Sequence, residues 1–109
     1  MKKFDSHEAF DQAVESGEQL LVLKHSSTCP VSGAAYEEYD SFVKEHQDVN
    51  AYYLVVQDDR PLSNHIAEAF HIKHESPQAI LFNNGDVAWH ASHWKITYDS
   101  LVNAVKENR

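Results

Sequence analysis

A single cysteine, Cys29, and a single methionine stand in a chain of 109 residues. One thiol excludes an internal disulfide framework, and it argues against a thiolate-rich zinc site, which needs about four convergent ligands. Positive charge is scarce too: nine Lys and Arg face seventeen Asp and Glu, for a formal net charge of −8. Nucleic acid is therefore not an expected partner, because its phosphates need Lys and Arg in place of counterions. Long apolar runs are missing. The longest are LLVL (20–23) and AYYLVV (51–56), far short of the ~20 residues a membrane helix needs. The start, MKKFDSHEAF, has two lysines and no apolar stretch behind them, so no secretory signal and no membrane partner are expected. The default compartment is then the cytoplasm, where thiols stay reduced. Repeats, low-complexity tracts and linkers are also absent, and the length suits one domain over 1–109.

What is present is an alternation of strand and helix signals. A first helix is expected from Ser6 to Ser16, capped by Asp5 with Glu8 three residues on, and stopped by Gly17. QLLVLKH (19–25) is nearly continuous in apolar residues, as in a strand covered on both faces. Pro30 suits the first position of a helix, where its missing N–H is harmless. Tyr36, Tyr39 and Val43 carry that helix to about His46. AYYLVVQ (51–57) reads as a second buried strand, and DDRP leads into a helix with Leu62, Ile66, Ala69 and Phe70 at helical spacing. Residues 76–91 read as a hairpin around Asn84-Gly85, a type I′ turn signal. A last helix starts at a Thr97 cap, with Tyr98, Leu101, Val102 and Val105 on one face. The expected order is α-β-α-β-α-β-β-α: a four-stranded mixed sheet, parallel at the front, with helices on both faces.

On that frame Cys29 lies just past the carboxyl end of a strand and at the mouth of a helix. Open α/β sheets bind ligands at that edge, and a helix N-terminus favours a thiolate over a thiol. A stabilised thiolate is also a better leaving group in disulfide exchange. The residue three places on is Ser32. In a C-x-x-C pair a second thiol there would release whatever the first has captured. A serine hydroxyl cannot form an S–S bond, though it can hydrogen-bond a thiolate. A captured group must therefore wait for an outside thiol. Lone cysteines are ordinarily buried, inert hydrophobes; the place before Pro30 at a strand–helix junction argues otherwise.

Three segments, TCPVS (28–32), ESPQAILF (75–82) and ASHWKIT (91–97), resemble the single-cysteine (monothiol) bacilliredoxins, a YtxJ-like group of low-GC Gram-positive bacteria within the thioredoxin superfamily. The resemblance covers essentially the whole chain and implies a thioredoxin-like α/β fold. It also implies a stress-response enzyme that removes bacillithiol from S-bacillithiolated proteins, with no bound cofactor and bacillithiol as the reducing co-substrate. By position, Cys29 matches the nucleophile and Ser32 the place of a resolving cysteine, while Thr28 and Pro30 flank the thiol. Pro77 matches a cis-proline that faces the thiol, leaving the backbone of Ser76 to pair with an extended substrate segment. Without the resemblance a trans proline opening an edge strand would be the ordinary reading. Thr28 is placed either to bond substrate or to shape the turn, and Pro30 to start the helix.

Two further readings stay open. Single-thiol glutaredoxins can carry a [2Fe–2S] cluster between two chains, but they have a C-G-F-S run where this chain has CPVS. A thioredoxin-like binding module with an incidental thiol is the other. For the enzyme a monomer is expected. Lys73, His74 and Lys95 are candidates for a positive patch toward an anionic thiol, although solvated surface charge accounts for each. The pairs His71/His74 and His90/His93 do not make up a metal site. Tyr52, Tyr53, Trp89 and Trp94 are expected in the core or on a sheet face, with Trp94 also placed to line a groove. Asp58-Asp59 reads as a solvated loop.

Overall fold

A computed structural model describes residues 2–108. In chain order they form β1 (Lys2–Lys3), α1 (His7–Glu15), β2 (Leu20–His25), α2 (Pro30–Glu45), β3 (Ala51–Val55), α3 (Arg60–Phe70), β4 (Gln78–Asn83), β5 (Asp86–Ser92), a short 3-10 turn (His93–Lys95) and α4 (Tyr98–Glu107). The sheet order is β1-β3-β2-β4-β5. β3 is parallel to β1 and to β2, whereas β4 is antiparallel to both β2 and β5.

The sheet therefore has five strands rather than the four expected, and the chain begins with a strand rather than a helix. The extra strand is only Lys2–Lys3, paired with Tyr52 and Tyr53. Two lysines show no alternation that a sequence pattern could register. What holds this edge is the next residue, Phe4, which is buried and stacks on the Tyr52 ring at 4.3 Å.

Both faces of β2 are covered because its side chains alternate between two cores. Leu21 and Leu23 pack against Tyr39 and Phe42 of α2 and Leu101 and Val105 of α4. Leu20 and Val22 pack against Phe10 of α1 and Leu62 and Ile66 of α3. Tyr39 is fully buried, and its hydroxyl lies 2.7 Å from the Tyr52 carbonyl and 3.2 Å from that of Leu21. Its proton is thus shared across the β2–β3 pair, and burial pushes this phenol well above its ordinary pKa.

The helix starts follow local capping. α1 is capped by Ser6 rather than Asp5: Ser6 is extended, and its Oγ accepts the Ala9 N–H at 3.0 Å. Asp59, read as solvated loop, caps α3 through Leu62 N–H, while Asp58 pairs with Lys3 at 3.7 Å. Thr97 and Ser100 form a reciprocal capping box at α4. Asn84 and Gly85 both have positive φ, 55° and 80°, as the hairpin turn requires. Among the described residues no helix is long and apolar enough to cross a membrane.

Candidate active site

β2 ends at His25, and after four intervening residues α2 begins with Pro30 in its first turn. Cys29 is the N-cap residue, extended at φ −101° and ψ 123°, and its side chain makes no capping hydrogen bond. Its carbonyl accepts the Gly33 N–H at 3.3 Å, the first bond of the helix. Cys29 is half-buried, and among the described residues its thiol has no hydrogen-bond partner.

The loop carrying it is held from beneath and from the side. Ser32 is fully buried, and its Oγ accepts the Ser26 N–H at 3.0 Å. With no exposed surface, Ser32 is not placed to touch a substrate, and its hydroxyl serves the loop. From the side, Gln57, just past β3, accepts the Ser27 N–H at 3.1 Å through Oε1. Its Nε2 donates to Ser26 Oγ at 2.8 Å and Thr28 Oγ1 at 3.2 Å. Thr28 is thereby tied into the turn. Gln57 was missed in the sequence: it ends an apolar run, and nothing in that pattern shows bonds to residues some thirty positions earlier. Gln57→Ala is expected to lower exchange activity about tenfold by loosening the cysteine loop. It should also remove about 1–2 kcal/mol of stability. Paired activity and denaturant-melt measurements check both.

His25, the last residue of β2, likewise has no sequence signal for a place at this site. Its ring lies 5.0 Å from that of Tyr36, and its buried Nδ1 has no hydrogen-bond partner among the described residues. Burial holds this imidazole below its ordinary pKa, with the Ser32 backbone carbonyl pulling the other way.

The second wall comes from the start of β4. Gln78 pairs with Lys24 across the ladder, so the residues before it lie beside the end of β2. The Ser76–Pro77 peptide bond is cis. Pro77 is buried and its carbonyl accepts the His93 N–H at 3.1 Å. Glu75 accepts from Ser92 Oγ at 2.8 Å and lies 3.4 Å from His93 Nδ1. Chiefly through the Ser92 hydroxyl bond, its carboxyl is held below the usual range. Thr28, Cys29, Pro30 and Ser32 thus share one junction, and Ser76 and Pro77 border the end of the neighbouring strand.

Trp94 is not in the core: it is 70% exposed, and it follows His93, whose φ is 54°. Together with Ala34, Ala35 and Ile96 it lines a groove of about 290 Å³ between α2 and the 3-10 turn. A larger hollow of about 480 Å³ lies at the other end of the sheet, around Val43 and Val49–Ala51. Lys73 and Lys95 are exposed, whereas His74 turns its Nδ1 toward Lys24. Among the described residues no three His, Cys, Asp or Glu side chains converge as metal ligands.

Comparison with known proteins places this geometry. The family described as monothiol bacilliredoxin BrxC matches residues 2–101. A solved structure described as a candidate oxidoreductase with a thioredoxin fold is 43% identical, with a TM-score of 0.88 over 95% of this chain and 92% of that one. Mitochondrial thioredoxin 3 from Saccharomyces cerevisiae, in its oxidized form, is 14% identical with a TM-score of 0.75, over 98% of this chain and 94% of that one. Fasciola hepatica thioredoxin is 12% identical, with a TM-score of 0.77 over 100% of both chains. The last two likenesses concern the fold alone. A thioredoxin-like fold, one thiol at a helix cap and a match over nearly the whole chain make this a thiol–disulfide oxidoreductase. The chain belongs to the monothiol bacilliredoxin family.

Proposed function

We propose that the protein removes bacillithiol from S-bacillithiolated proteins. Monothiol exchange is supported by the half-buried Cys29 at the start of α2 in a chain with no second thiol, and the choice of bacillithiol by the match to the monothiol bacilliredoxin family over residues 2–101. Cys29 thiolate attacks the bacillithiol sulfur of the mixed disulfide. The S–S bond to the substrate breaks, the substrate cysteine leaves as a thiolate, and Cys29 carries the bacillithiol. A second bacillithiol thiolate then attacks that same carried sulfur, giving bacillithiol disulfide and free Cys29. Each step exchanges one S–S bond for another, so no external oxidant is needed.

The remaining site residues serve this exchange. Pro30 opens α2 behind the attacking sulfur, and Ser32 and Gln57 fix the loop. The Thr28 side and the Ser76 backbone before Pro77 are the surfaces on which an extended substrate segment lies. The enzyme binds no cofactor, acts as a monomer and works in the cytoplasm. Its partners are bacillithiolated proteins and bacillithiol.

Intact-mass analysis tests the choice of thiol. Reduced protein is exposed separately to the disulfides of bacillithiol, glutathione and coenzyme A. The bacillithiol adduct on Cys29 is expected to form and reverse at least about tenfold faster than the others, a difference of about 1.4 kcal/mol in barrier. Faster adduct formation and reversal with glutathione or coenzyme A would reassign the substrate.

A further inference from the structure

Lys24 lies inside the run QLLVLKH as the penultimate residue of β2, and it has no exposed surface. Strand alternation puts its side chain on the face of Val22, with Leu62, Ile66 and Ile80, away from α2. A buried ammonium needs partners. Nζ has the Ser63 carbonyl of α3 at 3.0 Å and His74 Nδ1 at 3.3 Å. His74 Nδ1 is also 3.1 Å from Ser63 Oγ. An ammonium only donates, so Nδ1 is the acceptor and the ring proton sits on Nε2. Gln78, opposite Lys24 in the ladder, donates from Nε2 to the Lys73 carbonyl at 3.1 Å.

These groups converge on residues 71–77, which join α3 to β4 and have no helix or strand of their own. The far side of this connection is tied by Ser92 to Glu75 and by the His93 N–H to Pro77. Its near side depends on Lys24, Ser63 and Gln78. A methionine of similar shape would satisfy the apolar surroundings without a buried charge. The charge is kept where it grips the connection that ends in Ser76–Pro77.

We propose that Lys24 is a positioning residue for the exchange reaction: by holding His74 and α3 together it fixes the backbone of Ser76 and Pro77 for docking of a protein mixed disulfide. This rests on the reading of that backbone as the substrate-docking segment.

The grip has a pH window. Burial lowers Lys24 to about 8. His74 is held below its ordinary value by burial, and the charges of Lys24 and Arg60 add to this while Glu75 opposes it. Arg60 faces the cluster from the first turn of α3, and Glu75 from the connection itself; Ser63 and Gln78 do not titrate. Among the described residues Lys24 has no carboxylate partner. Above about pH 8 Lys24 loses its charge, and with it the strength of both bonds. Protonation of His74 on the acid side removes the acceptor. Stability moves the other way. Between pH 8 and the unfolded lysine value of 10.5 the unfolded chain holds more protons, so Lys24 makes the fold more stable as pH rises.

The test compares wild type with Lys24→Met, His74→Ala and His74→Gln. One probe is a protein carrying a bacillithiol mixed disulfide and the other is bacillithiol disulfide. Lys24→Met is expected to melt at or above the wild-type temperature at pH 7 and to lose the Lys24-linked rise in melting temperature between pH 8 and 10. Its KM for the protein probe should rise about tenfold, with kcat and the small-disulfide rate within about twofold of wild type. His74→Ala should show the same KM rise. His74→Gln, whose Oε1 can accept from Lys24, should keep a near wild-type KM. Wild-type KM in both Lys24→Met and His74→Ala would overturn the inference alone. If wild type exchanges with neither probe, the proposed function falls and takes this inference with it. Should Lys24→Met fail to fold, the exposed His74→Ala decides the matter.

Discussion

Cys29→Ser should abolish thiol exchange and at the same time raise the melting temperature. The loss follows from chemistry: a hydroxyl cannot form the S–S bond on which each step depends, so turnover falls by on the order of 10³-fold or more, to background. The gain follows from the backbone. Cys29 already has the extended N-cap conformation, yet its side chain bonds none of the first-turn N–H groups of α2. Serine is among the best N-cap residues because its oxygen reaches those groups. The substitution therefore adds about 1 kcal/mol, or roughly 4 °C for a chain of this size. Cys29→Ala should lose the same activity without the thermal gain. Activity assays on a bacillithiolated protein and thermal melts of the three proteins check both halves. Exchange by Cys29→Ser at even a tenth of the wild-type rate would refute the assignment of the nucleophile. An unchanged melting temperature would instead show that the cap geometry cannot take a serine bond. On this expectation the native residue is a worse cap than its nearest isostere, as a residue held for its sulfur would be.

The architecture was legible where apolar periodicity was long enough to decide. LLVL between two polar flanks requires cover on both sides, and β2 receives it from two separate cores. The hairpin was legible because Asn84 and Gly85 are the residue types that tolerate left-handed backbone in succession. β1 was not legible, because two lysines carry no period and their pairing is fixed by the burial of Phe4. Asp5 and Ser6 are both good caps, and only the backbone conformation at Ser6 separates them. Trp94 has two expected places, the core or sheet face by its apolar character and a groove by its position past the last strand, and it takes the groove. The positive φ at the preceding His93 is not legible in the sequence.

The site divides in the same way. Cys29 and Pro30 were legible because a thiol followed by proline after an apolar run marks a strand–helix junction. The cis bond before Pro77 came from resemblance rather than from any local signal. The loop's support was hidden. Gln57 bonds Ser26, Ser27 and Thr28 about thirty residues earlier in the chain, and Lys24 bonds Ser63 and His74, in and beyond α3, across some forty to fifty residues. Each stands at the end of an apolar run, where the sequence pattern carries no sign of its partners. The polar groups that hold an active loop in place are legible only once the strands that carry them are in register.

Ser32→Cys should convert the captured adduct from a long-lived intermediate into a transient one. Positions 29 and 32 are three residues apart across the first turn of α2. At 1.5 Å of rise per residue, that brings their Cα atoms to about 5 Å, inside the range a disulfide spans. Once bacillithiol is loaded on Cys29, the introduced thiolate attacks the Cys29 sulfur, bacillithiol leaves as a thiolate, and an internal disulfide remains. Because the attack is intramolecular, the adduct's lifetime should fall by about 100-fold or more. The change has a structural cost, since the Ser32 Oγ that accepts the Ser26 N–H at 3.0 Å is replaced by a weaker acceptor. A loss of about 1–2 kcal/mol is expected from leaving that buried donor poorly paired. Intact mass separates the outcomes. Wild type exposed to bacillithiol disulfide accumulates the adduct, whereas the variant should carry none and should weigh two hydrogens less than its reduced form. Bacillithiol alone would then regenerate it slowly, and rapid turnover would require a dithiol reductant. A persistent adduct on the variant would mean that position 32 cannot reach the Cys29 sulfur. In that case Ser32 serves the loop, through Ser26, and takes no part in how the thiol is released.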